Sequence, residues 1–205
     1  YCDFYSLKYS EEDAVRYVNA VIRNIQKYRD EEILLDSVYF GGGTPSLLTP
    51  DKLGRIMESI SDSFVLLNPE ISIEVNPSLV NVEKLHTLKE IGFNRISFGI
   101  QSFNDNELKS LGRLHNSETA QTAVINAEKA GFHNISADIM LGINHQDLSS
   151  MYNTLDIVQS LPLTHISAYM LKIEENTPFN DKKIIAALPD DDMVSDLYLA
   201  CVDKL

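Results

Sequence analysis

The regular alternation of short β-branched or aromatic runs with longer helical segments constrains this chain most. Runs at Ser37–Phe40, Ile71–Val75, Arg95–Ile100, Ile135–Leu141 and His165–Leu171 read as buried strands. Ahead of the first, Ser10-Glu11-Glu12-Asp13 reads as a helix start, and Val15, Val18, Val21, Ile22 and Ile25 continue at helical spacing. Helices are expected from about Asp51 to Ser63, from Val82 to Ile91 with Gly92 as C-cap, and from Leu148 to Leu161. A broken helical region from Asp105 to Ala130 is interrupted at Gly112 and closed by Gly131, and a last helix follows Asp190-Asp191-Asp192. A βα unit thus recurs roughly every 25 to 40 residues. Parallel strands joined by helices give either an open doubly wound sheet or a barrel. Polar residues stand near the end of nearly every strand: Gly41 to Thr44, Glu74 with Asn76, Gln101 with Ser102, Asp138, and Tyr169. Barrels build their sites on that edge, so the expectation is an α/β barrel or partial barrel.

The sharpest local signal is Val38-Tyr39-Phe40-Gly41-Gly42-Gly43-Thr44-Pro45-Ser46. A strand running into bare backbone brings peptide N–H and C=O groups against a small ligand, because no Cβ keeps the ligand away. The plain alternative is a glycine turn joining strand to helix. A P-loop is excluded, because Gly43 is followed by Thr-Pro-Ser and not by Lys and a hydroxyl residue. A dinucleotide fingerprint is excluded too, since Ser46 stands where its third glycine belongs and Glu74 lies too far along.

At 205 residues the chain can form one substantial core, and nothing requires a second domain. Its net charge of −13 argues against nucleic acid, whose phosphates demand Lys and Arg, and against anionic membrane surfaces. No apolar run approaches a membrane span and no signal peptide opens the chain. Cys2 and Cys201 are too few for a secreted disulfide scaffold, so a cytoplasmic setting is expected. Cys201, among Leu199, Ala200 and Val202, reads as buried packing. Cys2 is either a small core hydrophobe or the last of a set. Both ends look cut, since the chain opens on Tyr1 and closes on an uncapped helical pattern.

Seven motifs then occur in order. They are Tyr1-Cys2-Asp3-Phe4-Tyr5, Gly41 to Ser46, Glu74-Val75-Asn76-Pro77, Arg95 to Phe103, Leu111-Gly112-Arg113-Leu114-His115, Ser136 to Gly142, and Ser167 to Leu171 leading to Thr177-Pro178-Phe179. Together they resemble the radical S-adenosylmethionine proteins of the oxygen-independent coproporphyrinogen III oxidase-like group, and within it the HemW-type heme chaperones. The resemblance covers essentially the whole chain. It implies a partial (β/α)6-type TIM barrel of the radical SAM kind, with S-adenosylmethionine and a [4Fe-4S] cluster as cofactors. It also implies reductive cleavage to a 5′-deoxyadenosyl radical, heme or a porphyrin as ligand, an unnamed heme-recipient protein and an electron donor.

Carried residue by residue, Cys2 resembles the third cysteine of the C-x3-C-x2-C cluster motif. Gly42, Gly43 and Thr44 match the loop that meets the methionine amino group through backbone atoms. Glu74 matches the carboxylate that accepts from the ribose, and Arg113 the guanidinium that pairs with the methionine carboxylate. Gln101 and Asp138 match further polar contacts. Each has a structural alternative: Glu74 a solvated strand-end acid, Arg113 a helix-surface charge, Asp138 a capping or turn residue. His115 is open between a porphyrin contact and a turn residue, while His86, His133, His145 and His165 have no motif company.

The chain also departs from the pattern. The first barrel strand and two cluster cysteines are expected before Tyr1, and a C-terminal region beyond Leu205. One cysteine cannot hold a four-iron cluster. Phe4 stands where genuine coproporphyrinogen oxidases carry a further cysteine, which favours the chaperone over the oxidase. A reading of another class is a barrel enzyme that binds a phosphorylated metabolite, with the glycine loop as an anion cradle.

Overall fold

The computed structural model describes residues 1–4 and 7–205. Tyr5, the last aromatic of the opening motif, lies outside the described residues. Five strands form one sheet: β1 (Leu34–Phe40), β2 (Val65–Val75), β3 (Arg95–Gln101), β4 (Asn134–Leu141) and β5 (His165–Met170). Helix α1 (Glu11–Ile25) precedes β1, and α2 (Pro50–Ser63) and α3 (Val82–Ile91) follow β1 and β2. The β3 to β4 connection carries α4 (Asp105–Ser110) and α5 (Ser117–Lys129). Helix α6 (Leu148–Ser160) joins β4 to β5, after which come the short α7 (Lys182–Ile185) and α8 (Asp191–Lys204).

Every neighbouring pair is parallel, and the spatial order β1-β2-β3-β4-β5 is the order of the chain. A doubly wound sheet reverses its order at a switch point, and the described residues show none. Right-handed crossovers between sequential strands keep the helices on one face, and strand twist curls the sheet into a half-barrel. The alternation expected from the sequence is therefore observed.

Strand side chains alternate between faces. Ile71, Ile73, Val75, Ile96, Phe98, Ile100, Ile135, Ala137, Ile139 and Leu141 are buried in the core beneath the helices. Helical partners in that core include Leu53, Ile56, Leu85, Leu88, Val124, Met151 and Leu155. The intervening residues face the concave side and are mostly polar: Tyr39, Ser72, Glu74, Arg95, Ser97, Ser136, Asp138, Ser167 and Tyr169. Low in the concavity Arg95 donates to Ser136 Oγ at 2.8 Å and to Ser72 Oγ at 3.4 Å, so hydroxyls and a guanidinium form the floor.

Two boundaries differ from expectation. β1 starts at Leu34 and β2 at Val65, well before Ile71. The register passes from Leu35↔Leu66 to Ser37↔Glu70, so residues 67–69 bulge out opposite Asp36. Pro69 falls in this bulge, where a proline without a donor is tolerated. The brief helix α7 precedes the expected last helix. Gly92, Gly112 and Gly131 end their segments at positive φ, as anticipated.

Candidate functional site

The C-terminal rim of the concave face is built from the ends of β1 to β5. After β1, Gly42 and Gly43 adopt φ of +77° and +52°, and a Cβ on either would meet nothing within 4 Å. Their backbone lies open, and a side chain there would be strained. Gly41 leaves room for a neighbour instead, since a Cβ would stand 2.3 Å from the Tyr39 ring and displace it. Lying across Gly41, the Tyr39 phenol donates to Glu74 Oε1 at 2.6 Å, and Gly42 N–H donates to Oε2 at 3.1 Å. Glu74 is thus held from both sides at the end of β2. Burial and the Glu74 carboxylate raise the Tyr39 phenol to about 12, so it stays a donor. Half-buried Thr44 leads into the turn Pro45–Leu47, where buried Ser46 accepts from Asn76 N–H at 3.2 Å.

The end of β3 is held differently. Arg113 Nη2 donates to the Gly99 carbonyl, and His115 Nε2 stands 3.0 Å from the Ile100 carbonyl. Tyr169 donates to Gln101 Oε1 at 2.7 Å, bridging β5 to β3 across β4. Ser102 donates to Glu107 Oε2 at 2.6 Å. Gln101 is 5% exposed and has φ of +77°, an uncommon conformation for a residue with a side chain, costing of order 1–3 kcal/mol. A Cβ on Gly99 would lie 3.2 Å from Gln101 Nε2 and 3.4 Å from Arg113 Nη2, so the two side chains lean over bare backbone. Arg113 lies in the turn after α4, not on a helix surface. Its Nε is buried without an acceptor among the described residues.

Asp138 sits within β4, three residues before its end, opposite Gly99 and Ser167. It is neither a cap nor a turn residue. Burial raises its carboxyl, Glu74 adds repulsion, and Ser167 and Arg95 oppose the rise. Tyr1 packs edge-on against Phe179 at 5.9 Å between ring centroids. Its phenol is raised by burial and opposed by the Arg113 guanidinium beside it. Tyr169 is raised by burial and by Tyr1 and Asp138. Glu74, Gln101, Arg113 and Asp138 therefore share one concavity with Tyr1 and Tyr169. Two carboxylates and a guanidinium at the strand ends of one concave face suit a dipolar ligand carrying both a cationic group and a carboxylate.

Sequence reasoning missed Tyr39 as the partner of Glu74, Tyr1 beside Arg113, and the Arg95 floor. The period-2 polarity of the strands was the available signal. His115 proves to be buried against β3, its imidazole pushed down to about 4 by burial and then by Arg113. Exposed Cys2 adjoins Tyr1 at the rim, whereas Cys201 is buried in α8 with Sγ 3.7 Å from Met151 Sδ.

The profile of the Radical SAM superfamily matches residues 1–158. The chain belongs to the radical SAM superfamily. Among relatives of this radical SAM chain, the heme chaperone HemW of Bacillus subtilis is 33% identical, over 100% of this chain and 56% of that protein. The HemW of Haemophilus influenzae is 35% identical, over 97% of this chain and 53% of its own length. The chain thus spans about half the length of these curated relatives. The solved structure of coproporphyrinogen III oxidase (HemN) from Escherichia coli, described as a radical SAM enzyme, superposes with a TM-score of 0.88 at 24% identity. It covers 98% of this chain and 48% of that one, and carries the fold alone.

Radical SAM membership implies S-adenosylmethionine and a [4Fe-4S] cluster. The orphaned Arg113 Nε and the open Gly42 and Gly43 backbone fit a ligand with an amino-acid end. The cluster does not fit the residues of this chain alone. Its sequence holds two cysteines, one of them buried in α8 against Met151, and no group of three metal-ligating side chains occurs among the described residues.

Proposed function

We propose that the rim binds S-adenosylmethionine, and that the intact protein is a HemW-type heme chaperone. Glu74 accepts from the ribose hydroxyls, and Arg113 pairs with the methionine carboxylate through its free N–H groups. Gly42, Gly43 and Thr44 receive the amino group, and Gln101 and Asp138 add polar contacts. Cys2 supplies one cluster thiolate in an assembly that brings the others. The observations that carry this reading are the open glycine backbone beside the doubly held Glu74 at the end of β2, and the Arg113 Nε that has no acceptor among the described residues at the end of β3. An anion cradle has less support, because the Gly42 N–H is engaged by a carboxylate that would repel a phosphate.

Similarity to heme chaperones over nearly the whole chain supports heme as the ligand, passed on to a recipient protein. Phe4 beside Cys2-Asp3 supports the same branch over coproporphyrinogen III oxidation. No helix among the described residues is long and apolar enough to cross a membrane. Anaerobic incubation of the intact protein with coproporphyrinogen III, S-adenosylmethionine and a reductant separates the two branches. Heme binding without turnover is expected, and multiple-turnover formation of protoporphyrinogen refutes the chaperone reading.

A further inference from the structure

Four consecutive residues at the end of β3 are each held by a side chain from elsewhere. Arg113 takes the Gly99 carbonyl, His115 the Ile100 carbonyl, Tyr169 the Gln101 amide, and Glu107 the Ser102 hydroxyl. The strand is irregular there: Gly99 pairs with Asp138 but Gln101 with Ile139, so Ile100 is an extra residue, a β-bulge. Bulges re-aim the side chain that follows. Here that residue is Gln101, which turns through positive φ to meet Tyr169. Nothing in its own side chain favours that conformation, so the surroundings must hold it.

We infer that His115 is a positioning residue that clamps the β3 bulge and so aims Gln101 into the S-adenosylmethionine site; its consequence for the ligand rests on that site assignment. His115 is 4% exposed, and its one polar contact among the described residues is the Ile100 carbonyl. A carbonyl only accepts, so Nε2 carries the proton and Nδ1 its lone pair. Among the described residues Nδ1 is buried with no partner, which leaves no acceptor for a second proton. Of the charged groups facing the ring, Arg113 in the same turn disfavours an imidazolium and Asp105 of α4 favours it, with burial outweighing both. The ring is therefore a fixed neutral donor, which keeps the clamp intact across the pH range in which a free histidine would charge. It also keeps a second positive charge away from Arg113, which is left to face a carboxylate.

The test compares His115→Gln, whose Nε2 reaches the same carbonyl, with His115→Leu, which has no donor. In NMR spectra of the chain, the Gln101 side-chain amide should keep its wild-type position in His115→Gln and move to a solvent-like one in His115→Leu. S-adenosylmethionine affinity should fall about three- to ten-fold in His115→Leu, the effect of one lost hydrogen bond, and recover in His115→Gln. An unmoved Gln101 amide in His115→Leu, or a His115→Gln variant as defective as His115→Leu, overturns the clamp. If the intact, cluster-loaded wild-type protein binds no S-adenosylmethionine, the site assignment fails, and the Gln101 amide still decides the clamp. Should His115→Leu not fold, the wild-type ring decides. A neutral Nε2–H tautomer from pH 8 to 5 supports the clamp, and protonation near the ordinary histidine value of about 6.5 overturns it.

Discussion

Tyr39 and Glu74 show how a site can depend on a contact that no local motif contains. They lie 35 residues apart and meet because β1 and β2 pair in the register that sets Tyr39 beside Ser72. Tyr39→Phe should weaken S-adenosylmethionine binding about three- to ten-fold, measured by calorimetry, by freeing one side of the Glu74 carboxylate. Stability should change little, because Tyr39 is 59% exposed. A second prediction follows from His115, held at about 4 against an ordinary 6.5. Between these values the unfolded chain binds a proton that the folded chain does not, so stability falls as pH drops from 6.5 towards 4. The loss attributable to this ring approaches about 3 kcal/mol, and urea unfolding should show a shallower acid limb in His115→Gln than in wild type. At this scale the sequence made Glu74, Gln101, Arg113 and Asp138 recognisable through their motifs. Their partners were hidden, because Tyr39, Tyr169 and Tyr1 reach the site only through strand register and chain packing.

The strands and helices were largely readable from apolar period and punctuation. Gly92 at φ of +114° ends α3, and the break between α4 and α5 falls around Gly112. What escaped was the length of β2, because Asn68-Pro69 signals a turn locally while the sheet absorbs it as a bulge. The β3 bulge escaped for a related reason. Its stability comes from Arg113, His115 and Glu107, which lie in later segments. Helix α6 offers an independent check of local physics. Asp147 accepts from Ser150 N–H at 2.8 Å while Ser150 Oγ accepts from Asp147 N–H at 3.1 Å, a reciprocal cap. Asp147→Ala should cost about 1 kcal/mol in chemical denaturation. Ligand affinity should be unaffected, since the residue stands in the connection leading away from the rim.

Over the whole molecule, a sequential parallel sheet gives one face to the apolar core and leaves the other for chemistry. Five strands put a serine and arginine floor below and a rim of carboxylates, glutamine, tyrosine and arginine above. The thiolates set a limit on what this chain does alone. Reconstitution with iron and sulfide should yield no stoichiometric four-iron cluster, because Cys201 is sequestered in α8 and Cys2 stands by itself at the rim. Iron bound at four per chain would contradict that assignment of Cys2. The central claim is that Glu74 and Arg113 grip opposite ends of S-adenosylmethionine. Its most direct test is calorimetric titration of that ligand into the intact, cluster-loaded protein and its Glu74→Ala and Arg113→Ala variants. Each charge-assisted contact is worth about 1.5–3 kcal/mol, so either change should weaken binding about ten-fold or more. Wild-type affinity in both variants would contradict it.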